Sequence, residues 1–322
     1  MTEMGEKFDK RLTVDVIIPT YKPDRRFARL IRRLGQQTYP INKIIVVNTE
    51  KQDWKPEYCK KVNNLEVHHV SRQEFDHGRT RNFGASLSQG DIMIFMTDDA
   101  IPKGRRLVER LVEALGWKGN LGQTVAVAYG RQMPENGCHS LERFTRIFNY
   151  PDRSSVKTKE DLPRLGIKTY FASNVCCAYR KDIFEKLGGF VEPAIFNEDM
   201  IYAARAVQAG YGIAYTAEGR VIHSHNLTFL QQFRRNFDLA VSQADHPEVF
   251  EGILSEGEGI RLIKETGFWL VRRGKIGQIP VLIAGSAWKY AGYRLGKIYR
   301  ILPKGLVLRC TMNPVYWERN LL

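Results

Sequence analysis

Three shortages in this chain of 322 residues each exclude a class of protein. The five cysteines (Cys59, Cys138, Cys176, Cys177, Cys310) are odd in number and show no C-x-x-C spacing. That argues against a zinc knuckle and a disulfide framework, and it fits a reducing compartment. Long apolar runs are missing as well: the longest, Ile279 to Trp288, is too short to span a bilayer. The opening MTEMGEKFDKRLTVDV mixes acids with bases and runs straight into a strand pattern, unlike a signal peptide. The third shortage is of acids near the end, where residues 259–322 hold twelve Lys and Arg against two Glu, a net of +10 out of +14. Those bases interleave with Phe268, Trp269, Trp288, Tyr290, Tyr293 and Tyr299. This is the composition of a segment lying on an anionic membrane surface, and no DNA- or RNA-binding motif accompanies it, so nucleic acid is not the expected partner.

What is present reads as a globular α/β protein, with 43% hydrophobic and 26% charged residues and neither repeats nor low-complexity tracts. TVDVIIP (13–19) predicts a buried first strand. Phe27, Leu30, Ile31 and Leu34 then repeat at helical spacing, with Asp24 able to cap that helix and Gly35 to stop it. Further strands are expected at 43–47, 65–70, 92–96 and 124–129, with helices at 79–87, the latter packed through Phe83 and Leu87, and at 107–115. Strands alternating with helices predict a mostly parallel, Rossmann-like sheet covered on both faces. The middle is less regular: a helix at 140–148, a polar loop at 151–166, a strand at 175–179, a helix at 200–209 and a hairpin made of 211–215 and 220–223. From Pro247 onward only helices are expected. This organisation divides the chain into residues 1–130, 131–246 and a basic, aromatic helical extension at 247–322.

The most informative stretch is Phe-Met-Thr-Asp-Asp-Ala-Ile at 95–101, where two adjacent carboxylates end an apolar strand. In a doubly wound sheet that is where the ligand crevice opens. Buried like charges are expensive without compensation, so Asp98 and Asp99 suggest a divalent metal carrying a nucleotide's phosphates; a solvated turn is the plainer alternative. Thr20 and Tyr21, after the first strand, can stack a planar base. Arg79 and Arg81 flank Thr80 at a helix start, where guanidinium groups and backbone N–H groups can converge on a diphosphate. Asp199, with Glu198 beside it, opens a helix, and His223 and His225 follow at a strand end, where alternation puts both on one face.

The order VIIPTYK (16–22), TRN (80–82), TDDAIP (97–102), NED (197–199) and HSH (223–225) resembles the inverting GT-A glycosyltransferases of family 2 over residues 13–245. FDHGRTRN (75–82), NTE (48–50) and FMTDDAIP are similar to bacterial rhamnosyltransferases that use dTDP-L-rhamnose in cell-surface polysaccharide assembly. The resemblance implies a GT-A fold and a nucleotide-sugar site made of Pro19, Thr20, Tyr21, Thr49 or Glu50, Arg79, Arg81, Asp98 and Asn174. It also implies Mn²⁺ or Mg²⁺ on Asp99, with His223 and His225 as imidazole donors. Asp199 is then the general base, placed at a helix N-terminus that keeps it ionised, and Glu198 orients the acceptor hydroxyl. The expected partners are dTDP-L-rhamnose, a polyprenyl-diphosphate-linked saccharide and the inner face of the cell membrane, with a homodimer left open. Thr97 stands where relatives often carry the first carboxylate of Asp-x-Asp. Two rivals remain: a UDP-hexose transferase of the same family and a non-catalytic adaptor.

Overall fold

A computed structural model of the chain describes residues 11–59, 62–252 and 256–320, and their contacts form two units. The first comprises residues 1–133, 150–193 and 198–223; the second comprises 134–149, 194–197 and 224–322.

The first unit begins with β1 (Val14–Tyr21), α1 (Arg25–Leu34), β2 (Lys43–Thr49), β3 (Leu65–Val70), α2 (His77–Leu87) and β4 (Ile92–Met96). Helix α1 buries Phe27, Leu30, Ile31 and Leu34, as its spacing predicts, and the Asp24 side chain accepts from the N–H of Arg26 to cap it. Strands β3, β2, β1 and β4 lie side by side and parallel, so the end of β1 and the end of β4 share one edge of the sheet. That is the expected switch point. Helix α2 starts two residues earlier than predicted, because Asp76 caps it by accepting from Gly78 and Arg79 N–H groups. Its contact face differs from the expectation too. Phe83 is half exposed against His68, while Gly84 faces the sheet so closely that a Cβ would run into Ile17.

Beyond β4 the sheet is mixed. After β5 (Ile101–Pro102) and α3 (Leu107–Leu115) come β6 (Val125–Met133), β7 (Ser155–Lys157), β8 (Cys176–Arg180), α6 (Lys181–Lys186), α7 (Glu198–Gln208) and β9 (Gly212–Ile222); α4 (Ser140–Asn149) belongs to the second unit and α5 (Leu162–Leu165) lies between β7 and β8. Strand β8 runs antiparallel between β4 and β6, and β9 runs parallel to β6. The predicted hairpin of 211–215 and 220–223 is therefore one continuous strand. The Ala-Glu-Gly that reads as a turn is a bulge: Thr216 pairs with Gly130 and Arg220 with Arg131, leaving three residues of β9 unmatched. The predicted polar loop at 151–166 likewise contains a strand, β7, paired with β9.

The second unit is helical: α4, then α8 (Phe229–Asp245), α9 (Pro247–Phe250), α10 (Glu256–Arg272), α11 (Ile279–Lys297), α12 (Lys304–Cys310) and α13 (Pro314–Asn320). Its core gathers Phe233, Phe237, Val241, Val307 and Trp317. Helix α11 meets α8 through Gly285, Gly292 and Gly296; a Cβ on Gly292 would run into the Phe233 carbonyl, and one on Gly296 into that of Phe237. The glycines are what let these two backbones touch. No described helix is long and apolar enough to cross a membrane.

Candidate active site

Sheet register assembles the site in the first unit. Ile101 pairs with Ile222 in the antiparallel β5–β9 ladder, so the residues just before β5 lie beside those just after β9. Asp99 and His223 meet for that reason, with Oδ1 3.5 Å from Nε2. The backbone N–H of His223 donates to the Met133 carbonyl at 3.0 Å, and its Nδ1 lies 2.9 Å from Oε1 of Gln132. Because a carboxamide oxygen only accepts, the contact calls for a proton on that ring nitrogen, and Nε2 is the nitrogen that faces Asp99. A carboxylate oxygen and an imidazole nitrogen this close suit a divalent ion, the nitrogen favouring Mn²⁺ over Mg²⁺. Arg26 reaches the other Asp99 oxygen at 4.0 Å. His225 follows two residues later, outside the strand, which ends at Ile222, and among the residues of the second unit. Strand alternation therefore does not govern where it points.

The neighbouring Asp98 is half-buried and accepts from the Thr20 hydroxyl at 2.6 Å, the contact that ties the end of β4 to the end of β1. Burial pushes its pKa up to about 6, against the opposing pull of that hydroxyl, and Asp99 adds to the rise. Tyr21 is partly exposed, with Lys22 and Arg72 over its ring. Pro19 lies one residue before the buried Thr20. Thr49 pairs with Tyr21 across the β1–β2 ladder, and its buried hydroxyl has no hydrogen-bond partner among the described residues. Glu50 is committed elsewhere: its carboxylate takes the Arg72 backbone N–H and the Gln52 amide.

The second cluster forms where β8 begins. Antiparallel pairing sets Cys176 opposite Met96, and this brings Ser173 and Asn174 to the end of β4. The Asn174 backbone N–H donates to Asp199 Oδ2 at 2.8 Å, while its side-chain amide donates to Glu198 Oε1 at 3.0 Å. Tyr179 locks the asparagine by donating to its Oδ1 at 2.8 Å. One residue thus holds both acids. Asp199 also takes the Met200 N–H in the first turn of α7. Arg81, nearly buried, lies 3.3 Å from Glu198 and donates to the His77 carbonyl at 2.9 Å.

The two carboxyls are driven apart. Burial acts to raise the Glu198 pKa, but the Arg81 guanidinium, then His77 and the Asn174 amide, hold it below the usual carboxylate range. Burial and then the Glu198 charge raise that of Asp199, and the backbone donors and Arg81 do not reverse the rise. The expectation that the helix N-terminus keeps Asp199 firmly ionised is corrected here, because burial and a like charge outweigh the first-turn N–H groups. A carboxyl with a raised pKa beside one kept charged is an acid–base arrangement.

The two clusters are joined. Gln132 turns its amide nitrogen to the Ser173 hydroxyl at 3.0 Å and to the Tyr150 hydroxyl, so a hydrogen-bonded path runs from His223 through Gln132 to the segment carrying Asn174. Buried Lys157 steadies that segment from behind by donating to the Lys168 and Phe171 carbonyls. Asp98, Asp99, Thr20, Arg81, Asn174, Glu198, Asp199 and His223 are therefore brought together. Arg79 is not among them: its guanidinium pairs with Glu192 at 3.2 Å, so the two arginines do not converge on one point. Sequence reasoning missed Gln132 and Tyr179. The signal for Gln132 was a lone amide in the apolar stretch VAVAYGRQM, whose strand was predicted to end at Tyr129.

A carboxylate pair at the switch point and an acid pair one strand away match what a sugar transferase needs, and residues 15–188 match the Glycosyl transferase family 2 profile. The chain belongs to that family. It is 35% identical to the O-antigen chain rhamnosyltransferase RfbN of Salmonella typhimurium (strain LT2), over 95% of this chain and 96% of that one. With the O-antigen chain rhamnosyltransferase WbaN of Salmonella anatum the identity is 37%, over 94% and 95%. Among solved structures, the mannosyltransferase PcManGT from Pyrobaculum calidifontis, in complex with GDP-Man and Mn²⁺, superposes with a TM-score of 0.58 at 15% identity, covering 100% of this chain and 90% of that one. S. aureus TarS 1-349 gives a TM-score of 0.50 at 16% identity, covering 89% and 91%. Both structures show the same GT-A-like fold. The family 2 chain is accordingly a glycosyltransferase.

Proposed function

We propose that this glycosyltransferase moves L-rhamnose from dTDP-β-L-rhamnose to a hydroxyl of a polyprenyl-diphosphate-linked saccharide, in one displacement that inverts the anomeric centre, during bacterial cell-surface polysaccharide assembly. The observation that carries the sugar and the process is 35% and 37% identity, over nearly the whole chain, to two O-antigen chain rhamnosyltransferases.

Asp199 is the general base. Inversion needs a carboxylate on the acceptor side to take the hydroxyl proton as the anomeric carbon gains positive charge, and a raised pKa brings the base nearer the operating pH. Glu198 stays charged beside it and orients the acceptor hydroxyl. On the donor side, Pro19, Tyr21 and Thr49 take the pyrimidine, Glu50 braces the adjoining loop, and Asp98 accepts from the ribose. For the diphosphate we assign Arg81, whose buried Nε has no hydrogen-bond partner among the described residues, together with the N–H groups opening α2. Arg79 serves there only on leaving Glu192. Asp99 and His223, with His225 two residues along the same segment, are the donors assigned to Mn²⁺ or Mg²⁺. Bound there, the ion supplies positive charge to the departing dTDP.

The second unit is assigned to the inner face of the cell membrane, where its exposed apolar and basic side chains meet anionic headgroups and bring the enzyme to its lipid-linked acceptor.

A hydrolysis and transfer screen over a panel of nucleotide sugars tests the donor. Turnover of dTDP-L-rhamnose well above that of UDP-hexoses is expected, and the reverse ranking overturns the assignment. Thermal shifts with dTDP and with UDP, each with Mn²⁺, separate nucleotide from sugar preference.

A further inference from the structure

The proposed metal site rests on an imidazole that can bind an ion through only one nitrogen and in only one of its neutral forms. We infer that Gln132 is a positioning residue that holds His223 as the Nδ1–H tautomer, with the Nε2 that faces Asp99 unprotonated and able to ligate. The inference rests on the metal assignment made above, but the tautomer itself can be read without any metal.

Three observations carry it. Gln132 is 2% exposed and His223 7%, so no bulk water competes for their 2.9 Å contact. The amide has a direction: its nitrogen faces the hydroxyls of Ser173 and Tyr150, which leaves the oxygen for the ring. Both residues are also fixed by strand register, since Gln132 pairs with Val221 and Met133 with Ile222, while the Met133 carbonyl takes the His223 N–H. The β6–β9 ladder thus holds the two backbones at the spacing from which ring and amide meet.

The direction of the amide decides what His223 is. Were the amide reversed, its N–H₂ would face Nδ1, the ring proton would move to Nε2, and Nε2–H would donate to Asp99. That state is a closed imidazole–carboxylate pair with no lone pair for an ion. Ligating histidines commonly have the other ring nitrogen fixed by such a partner, and loss of that partner typically costs roughly 10- to 100-fold in metal affinity. Gln132 has a further consequence through Ser173, whose neighbour Asn174 holds Asp199 and Glu198. The residue that sets the ligand thus also touches the segment that sets the base.

The test uses full-length protein and two readouts. Long-range ¹⁵N–¹H correlation spectra of the metal-free protein, with the His223 signals assigned by their loss in His223→Ala, are expected to show Nδ1 protonated and Nε2 bare. An Nε2–H tautomer overturns the inference. Titration of Mn²⁺ alone, followed by the electron paramagnetic resonance of free ion, is expected to show weakening of roughly 10- to 100-fold in Gln132→Met. Gln132→Glu, which keeps an acceptor facing Nδ1, restores affinity. Equal weakening by Met and Glu means Gln132 acts only through packing, and unchanged affinity in Met means it does not act on the ligand; either overturns the inference. If His223→Ala leaves Mn²⁺ binding unchanged, the metal assignment fails instead, and the tautomer spectrum still stands as a separate result.

Discussion

The first unit keeps its charge inside and the second keeps its apolar surface outside. In the first, Asp98, Arg81, Glu198 and His223 are buried or nearly so, and each is held by a named partner. Of the large hydrophobic side chains exposed among the described residues, that unit shows only Tyr21, Phe83 and Leu121. The second unit shows the rest, among them Phe268 at 67% exposure, Ile283 at 61% and Ile301 at 80%. Exposed apolar side chains interleaved along the sequence with Arg272, Arg273 and Lys275 suit the membrane surface proposed for this unit, whereas buried paired charge suits chemistry on a charged leaving group. The function proposed above, transfer to a lipid-borne acceptor, sets both of these physical problems to one chain.

Removing the proposed proton acceptor tests the first half of that contrast hardest. Asp199→Asn is expected to lower kcat by about 10²- to 10⁴-fold while dTDP affinity in calorimetry stays within about threefold, as for a group that acts only as the hydroxyl is deprotonated. Parallel loss of both would move Asp199 into donor binding. The pKa directions add a signed corollary. Because the charge on Glu198 helps raise Asp199, Glu198→Gln should move the acid limb of kcat/KM toward lower pH, and an unmoved limb would mean that the limb belongs to another group. Asp99→Asn comes next in size: Mn²⁺ affinity, followed by titration of the ion alone, should fall at least about tenfold, with dTDP binding losing its metal dependence.

How much of this was legible differs between the units for a physical reason. Asp98, Asp99, Asp199 and His223 stood out because each follows an apolar run or opens a helix, and those are local signals. The α1 face and its cap were read the same way. Nothing local announced that β8 inserts antiparallel between β4 and β6, yet that pairing delivers Asn174 to both acids. The same non-local register turned a predicted hairpin into the single strand β9 and hid Gln132, whose partner lies 91 residues away. Periodicity reports which face of an element is apolar, and it is silent on which element comes to lie beside it. Phe83 fell to a related rule: aromatic bulk suggested a core contact where the backbone approach at Gly84 had already used the space.

The seam of the second unit offers a smaller, structural effect. Gly292→Ala places a methyl group against the Phe233 carbonyl, and the two backbones must separate or α11 must shift along α8. Overpacking of this kind costs about 1–3 kcal/mol, or a few degrees of Tm in a scanning-calorimetry trace. Gly274→Ala is the informative control: it has open space for a Cβ but a φ of +67°, so its penalty is one of backbone strain. A Gly292→Ala protein as stable as the parent would mean that the glycines do not set the spacing.

The smallest expected effect on stability is also the one that most directly breaks the contrast between the units. Phe268 and Ile283 are largely exposed, so replacing both by Glu removes little packing, and the folded protein should keep its Tm to within the shift of about 0.5 kcal/mol usual for surface changes. Donor hydrolysis in detergent-free buffer should likewise be unchanged, because neither side chain lies in the unit that carries Asp99 and Asp199. Flotation with anionic phospholipid vesicles is where the variant should fail. The parent floats at low salt, and the double variant, having lost two exposed apolar side chains and gained two negative charges in the basic unit, stays in the dense fractions. A variant that floats as well as the parent would show that the exposed apolar residues are not a membrane surface. A variant that unfolds would show that they are packed more deeply than their exposure indicates, and the division between a chemical and an adhesive unit would fall.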